Sequence, residues 1–194
     1  MARVKMRSRR QRNTWKGVVA GLLGGFAASW AMNEFQSFLS SLADKASEVK
    51  SKASAEQLGM TSSAAKSAES KEHESGDDAT MKVADKLWTA ATGSRLTKEE
   101  KDTAGPIVHY VFGSAMGAAY GAVVEHAPWA NVGAGIPLGA LLFIGADEVA
   151  VPALGLSESP AKYPLSSHMS ALAAHTVYGV TTEAVRRVVR AALR

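Results

Sequence analysis

Six side chains able to carry a proton or hold a cation stand in or beside apolar stretches of the chain: Glu34, His109, the adjacent Asp147 and Glu148, His168 and His175. Carboxylate and imidazole groups brought together support three kinds of chemistry. As hydrogen-bonded staples between membrane helices they contribute about 0.6–2 kcal/mol each. As a proton-binding set they titrate between roughly pH 5 and 8, because burial and neighbouring charge move carboxyl groups up and imidazoles either way. As ligands they suit zinc or a similar ion, but no pair of histidines one turn apart with a glutamate occurs, and His168 and His175 are about two turns apart. The staple is the plainest reading, and the use of ionisable rather than merely polar groups favours proton handling. No metal and no cofactor is expected.

Such groups need a scaffold that shelters them, and bulk composition conceals it. A hydrophobic share of 46% and a mean hydropathy of −0.04 resemble an ordinary soluble domain, because long polar segments dilute the apolar ones. The distribution says otherwise. Residues 15–39, 105–125, 132–151 and 164–185 each have about the 17–25 residues with which an α-helix crosses the hydrocarbon. The expected fold is therefore all-α, a four-span transmembrane helix bundle. A charge at mid-bilayer costs roughly 2.5–3.5 kcal/mol, so the six groups must face one another, a wet cavity or an interface.

Charge sets the orientation. Arg3, Lys5, Arg7, Arg9, Arg10 and Arg12 fall in residues 1–14, and Arg186, Arg187, Arg190 and Arg194 in residues 186–194. The positive-inside rule puts both basic tails in the cytoplasm, as an even number of spans requires. Trp15 and Trp129 then lie at the inner boundary, Trp30 and Tyr163 near the outer one. The first apolar run also has features of a secretory signal, and Ser8-Arg9-Arg10 resembles a twin-arginine one. Arg12 stands where such a signal has an apolar residue, so an uncleaved first span is expected. The absence of cysteine excludes disulfides and thiolate metal sites.

Residues 40–104 form the outer segment. Phe35, Phe38, Leu39, Leu42, Ala46 and Val49 continue the first span as an amphipathic helix. Residues 61–79 have too little apolar surface to order, and Met81, Ala84, Leu87, Trp88 and Ala91 make a second amphipathic piece. Thr97 and Glu100 form a capping box for a short helix leading towards Gly105-Pro106.

Small residues fix which helix faces meet. His109, Gly113, Gly117 and Gly121 recur every fourth residue, as do Gly135, Gly139, Phe143 and Asp147, with Pro137 an expected kink. His168, His175, Gly179 and Glu183 share a face, and so do Gly17, Gly21, Gly25 and Ala28. Asn33-Glu34 and Asp147-Glu148 are alike, as are His109-Tyr110-Val111-Phe112-Gly113 and His175-Thr176-Val177-Tyr178-Gly179. This is the pattern of two duplicated hairpins with parallel equivalents, Glu34 matching Glu148.

No phosphate loop and no nucleophile elbow is present, so no enzyme is expected. The bilayer is the expected partner. Anionic headgroups, at about 1 kcal/mol per basic residue, explain the tails more simply than nucleic acid does. The glycine stripes offer a surface to another membrane helix or a second copy. Ala104-Gly105-Pro106, His109-Tyr110, Phe112-Gly113, Gly117, Tyr120-Gly121, Glu148, Pro152, Leu154-Gly155-Leu156, His175 and Arg186-Arg187 together resemble the YagU-like family of small bacterial inner-membrane proteins. The resemblance implies a helical protein of the bacterial inner membrane and no established reaction. Its pattern has a His before the Glu matching Glu148, where this chain has Asp147, which weakens a shared metal site and leaves a proton-binding carboxylate. Two readings follow: proton handling or acid response, and a structural or partner-binding membrane protein.

Overall fold

The structure, a computed structural model, describes residues 13–58 and 77–193. Among these the chain is all-α, without strands. Helix α1 spans Thr14–Leu58, α2 Ala79–Thr92, α3 Lys98–His126, α4 Ile136–Ala153 and α5 Leu165–Ala192. Within α4, Ile136–Leu142 is α-helical, Phe143–Ala150 is wound as a π-helix, and Val151–Ala153 returns to α.

Local chemistry explains the starts of these helices. Asp78 caps α2 by accepting from the Met81 N–H at 2.8 Å, and Gly93 ends it with φ 77°, a conformation glycine adopts without a Cβ penalty. At α3 the Thr97 hydroxyl accepts from Glu100 N at 3.3 Å while Glu100 Oε2 accepts from Thr97 N at 2.8 Å, closing the capping box. The helix does not stop before Gly105-Pro106 as the sequence led us to expect. It runs through Pro106, because Gly105 is pressed against Met81 and Thr80 of α2 and packing overrides the local break. Thr97→Ala removes the cap and is expected to cost about 1 kcal/mol, read as a lower midpoint of thermal unfolding in detergent.

Pro137 likewise makes no kink. It occupies the first turn of α4, where its missing N–H has no partner to lose, and Gly133, Ala134 and Gly135 before it turn the chain at positive φ. Helix α4 therefore begins at Ile136, not at residue 132, and its irregularity is the π segment instead. Most of the 61–79 stretch read as too polar to order lies outside the described residues. Its last residue, Ala79, already belongs to α2.

Glycine seams hold the helices together. Antiparallel α1 and α3 meet at Gly17 and Gly121, Gly21 and Gly117, and Gly25 and Gly113; a Cβ on any of them would run into the facing helix. Helices α4 and α5 meet in the same manner at Gly135 and Gly179, and Gly139 lies on the His175 backbone. On the other flank of α1, Gly24 rests on the Thr182 carbonyl of α5. There Ala28, Met32, Ala174 and Tyr178 form the core, covered by Phe35, Leu138 and Leu142. The helices thus follow in the order α3, α1, α5, α4, with α3 and α5 running the same way.

The two ends of this array differ. At one, Lys16 Nζ donates to Leu193 O at 2.5 Å and Thr14 Oγ1 lies 2.8 Å from His126 Nε2. At the other, α2 lies across the helix ends. Lys82 Nζ donates to Leu156 O at 2.8 Å, Lys86 Nζ to Leu154 O at 3.0 Å, and Lys101 pairs with Asp77 at 2.7 Å, which holds the Lys101 ammonium pKa above its usual value.

Candidate functional site

Five of the six ionisable groups gather on the α2 side of the array, in two pairs rather than one cluster. His175 Nδ1 lies 3.0 Å from Ala171 O and 3.5 Å from an Asp147 carboxylate oxygen. The carbonyl accepts only a hydrogen, so we assign the Nδ1–H tautomer, which leaves Nε2 as the atom that gains a proton. The second pair is Glu148 with His168 Nδ1 at 2.7 Å, while His168 Nε2 sits 3.1 Å from Pro160 O. Asp147 and Glu148 therefore serve different histidines, as neighbours about 100° apart on a helix must. Both stand in the π-helical segment, a form of winding that is rare and frequent at functional sites.

His109 closes the group from α3. Its ring borders the Ser29 backbone and lies within electrostatic reach of His175, Asp147 and Asp78. Its Nε2 is buried without a hydrogen-bond partner. Glu34 does not join them. It lies about half a turn around α1 from the Gly25 face and is exposed. The expected match of Glu34 with Glu148 also fails in register. Gly25 against Gly113 corresponds to Gly135 against Gly179, and counting on from there sets Glu34 beside Ile144, about one turn short of Glu148.

A second site, which sequence reasoning left unassigned, is buried nearer the opposite end. The Glu183 side chain is 1% exposed. Its Oε2 accepts from Tyr120 Oη at 3.0 Å and Arg186 Nε at 2.6 Å; its Oε1 accepts from Arg186 Nη2 at 2.9 Å and Arg187 Nε at 2.5 Å. The Arg186 guanidinium also lies 5.9 Å from the centre of the Tyr120 ring. Beside it Arg190 grips Glu125 at 2.5 Å, and Glu125 accepts from the Asn13 N–H at 3.3 Å. The signal was present as a glutamate followed three and four residues later by arginine. The reading of the arginines as headgroup contacts hid it.

Between the two sites lie polar atoms that no protein group satisfies. Ser29 Oγ and Thr182 Oγ1, both on fully buried residues, have no hydrogen-bond partner. An unmet group of this kind costs about 1–3 kcal/mol in a dry interior. Tyr178 Oη, by contrast, donates to Gly113 O at 2.5 Å. Among the described residues, no three His, Asp or Glu side chains group closely enough to hold a metal ion. Gly113, Gly117, Gly121, Gly135, Gly139 and Gly179 are all taken up in contacts within the chain.

Fold and sites define an all-helical protein in which two helices, Lys98–His126 and Ile136–Ala153, are long and apolar enough to cross a membrane. That is weak evidence of membrane association; α1 and α5, whose apolar runs are interrupted by glycine and polar residues, do not meet the same measure. The chain belongs to a family described as protein of unknown function (DUF1440), whose pattern matches residues 83–184, more than half of the sequence. The matched region holds His109, Asp147, Glu148, His168, His175 and Glu183, but not α1. Neither the curated proteins nor the solved structures include a match to this chain.

Proposed function

We propose that this is a four-span protein of the bacterial inner membrane, with both ends in the cytoplasm, that binds protons on its outer side and so couples its state to external acidity. One observation carries the reading: a His175 side chain only 11% exposed stands 3.5 Å from an Asp147 carboxylate that is 41% exposed. The carboxylate stands at the edge of the array on its α2 side, and the imidazole beside it is sheltered. With its Nδ1–H on this side, the ring offers Nε2 as its proton acceptor, and Asp147 supplies the opposite charge for the imidazolium that forms.

The membrane setting has its own support. Leu22, Leu23, Phe26, Val111, Phe112, Leu141 and Ile144 are exposed, a surface that lipid would cover. Trp15 and Trp129 are 58% and 76% exposed at the end bearing the basic tail, as interfacial aromatics are. Assembly through the glycine stripes is the weaker alternative, because those glycines face partners in their own chain.

The test is nitrogen NMR of histidine-labelled protein in lipid bilayers. Asp147→Asn is expected to change the response of the His175 ring signals to pH while leaving the His126 signals as they are in the native protein. A His175 ring that keeps one protonation state from pH 4 to 9 in both proteins sinks the reading.

A further inference from the structure

We infer that the seam among α1, α3 and α5 holds a file of internal water and conducts protons between the outer His109, Asp147 and His175 groups and the Glu183 carboxylate. This rests on the proposed proton binding and extends it from an outer sensor to a path through the protein.

The polar groups of the seam follow one another in depth. His109 borders the Ser29 backbone, and the Ser29 hydroxyl lies where a side chain on Gly113 would stand. The Tyr178 hydroxyl donates to Gly113 O and lies beside Thr182, one turn further along α5. Thr182 adjoins Glu183, to which Tyr120 donates from α3. From His175 to Glu183 the rise along α5 is only about 12 Å.

Three atoms along this line, His109 Nε2, Ser29 Oγ and Thr182 Oγ1, are buried and have no protein partner. Buried polar atoms in native proteins are satisfied, and where protein does not reach them ordered water does, each molecule making about three hydrogen bonds. Alanine or valine would fill the same places without an unmet group, so the hydroxyls are dispensable to packing. Their arrangement in sequence, ending on hydroxyl and carboxylate groups at either side, is that of a relay. A proton received at Asp147 or His175 passes by exchange along water and hydroxyl oxygens. Each relay atom releases one proton as it accepts another, and Glu183 releases the last to the cytoplasmic side. Only O–H and N–H bonds are made and broken.

Arg186 and Arg187 pair with the Glu183 carboxylate, so a proton that reaches it competes with the two guanidinium groups. Tyr120, the remaining group facing it, supplies a hydroxyl hydrogen and no charge.

The full chain in vesicles of phosphatidylethanolamine and phosphatidylglycerol, with a pH-sensitive dye inside and a potassium diffusion potential, gives the readout. The native protein is expected to pass protons. Ser29→Ala and Thr182→Val are each expected to cut the flux about tenfold or more, with thermal stability unchanged or raised. Their His175 titration should stay as in the native protein. Glu183→Gln should abolish flux, and the first two variants keep the test valid if that one fails to fold. Native protein without flux, or flux unchanged in both Ser29→Ala and Thr182→Val, overturns the path. If His175 still titrates in that case, the outer proton site stands without it; if His175 does not titrate, both readings fall.

Discussion

Gly117→Leu is expected to leave no folded protein to purify. The Cα of Gly117 sits in the notch between Gly21 and Gly25, where even a Cβ would fall 2.7 Å from the Gly25 Cα and against the Gly21 carbonyl. Overpacking a core ordinarily costs about 1–3 kcal/mol because side chains shift to make room. Here the obstacle is backbone, and relief requires α1 and α3 to separate along the length they share. The loss should therefore exceed that range and take most of a net stability of about 5–15 kcal/mol. Gly145→Leu is the matched control: a Cβ at Gly145 meets nothing within 4 Å, so that variant should unfold within about 0.5 kcal/mol of the native protein. Yield of monodisperse protein in detergent, followed by thermal unfolding, separates the two. Equal behaviour would show that the seam is not what holds α1 to α3.

The second large effect is at Glu183. Glu183→Ala strands a guanidinium whose side chain is 6% exposed and leaves Tyr120 Oη without its acceptor. Removing one partner of a buried ion pair costs about 3–5 kcal/mol, mostly as the penalty of the charge left behind. The lower end is expected, because Arg186 is near the helix end and its long side chain has a short way to water. The double change Glu183→Leu with Arg186→Met should recover most of the loss, since it removes both charges. Arg187→Ala, whose side chain is 55% exposed, should cost no more than about 1 kcal/mol. A single change at Glu183 as mild as that at Arg187 would mean that Arg186 finds solvent without help.

What could be read in advance was whatever repeats at short range. Recurrence of Gly113, Gly117 and Gly121 every fourth residue identifies the contact face of α3, and the same rule finds Gly135, Gly139 and Gly179. The capping box of Thr97 and Glu100 was legible too, but not the continuation through Pro106, which depends on Met81 and Thr80 from another helix. The π winding at Phe143–Ala150 leaves no mark in periodicity and displaces Asp147 and Glu148 from the register a regular helix predicts. Glu34 looked like their equivalent only because its neighbours are similar. Lys82 and Lys86, which clasp α2 to carbonyls of Leu156 and Leu154, act across a sequence separation no local pattern spans.

Helix α1 is the longest of the described helices. It is unbroken from Thr14 to Leu58, and the part beyond residue 39 adds about 28 Å at 1.5 Å per residue. Ser40 and Ser41 return their hydroxyls to Gln36 O and Phe38 O near the start of that part, bonds of a kind that often bend a helix. The stretch that meets α3 at Gly17, Gly21 and Gly25 and the stretch beyond residue 39 are thus parts of one rod. A swing of its far part is therefore taken up either by bending near Ser40 and Ser41 or by movement of the glycine seam.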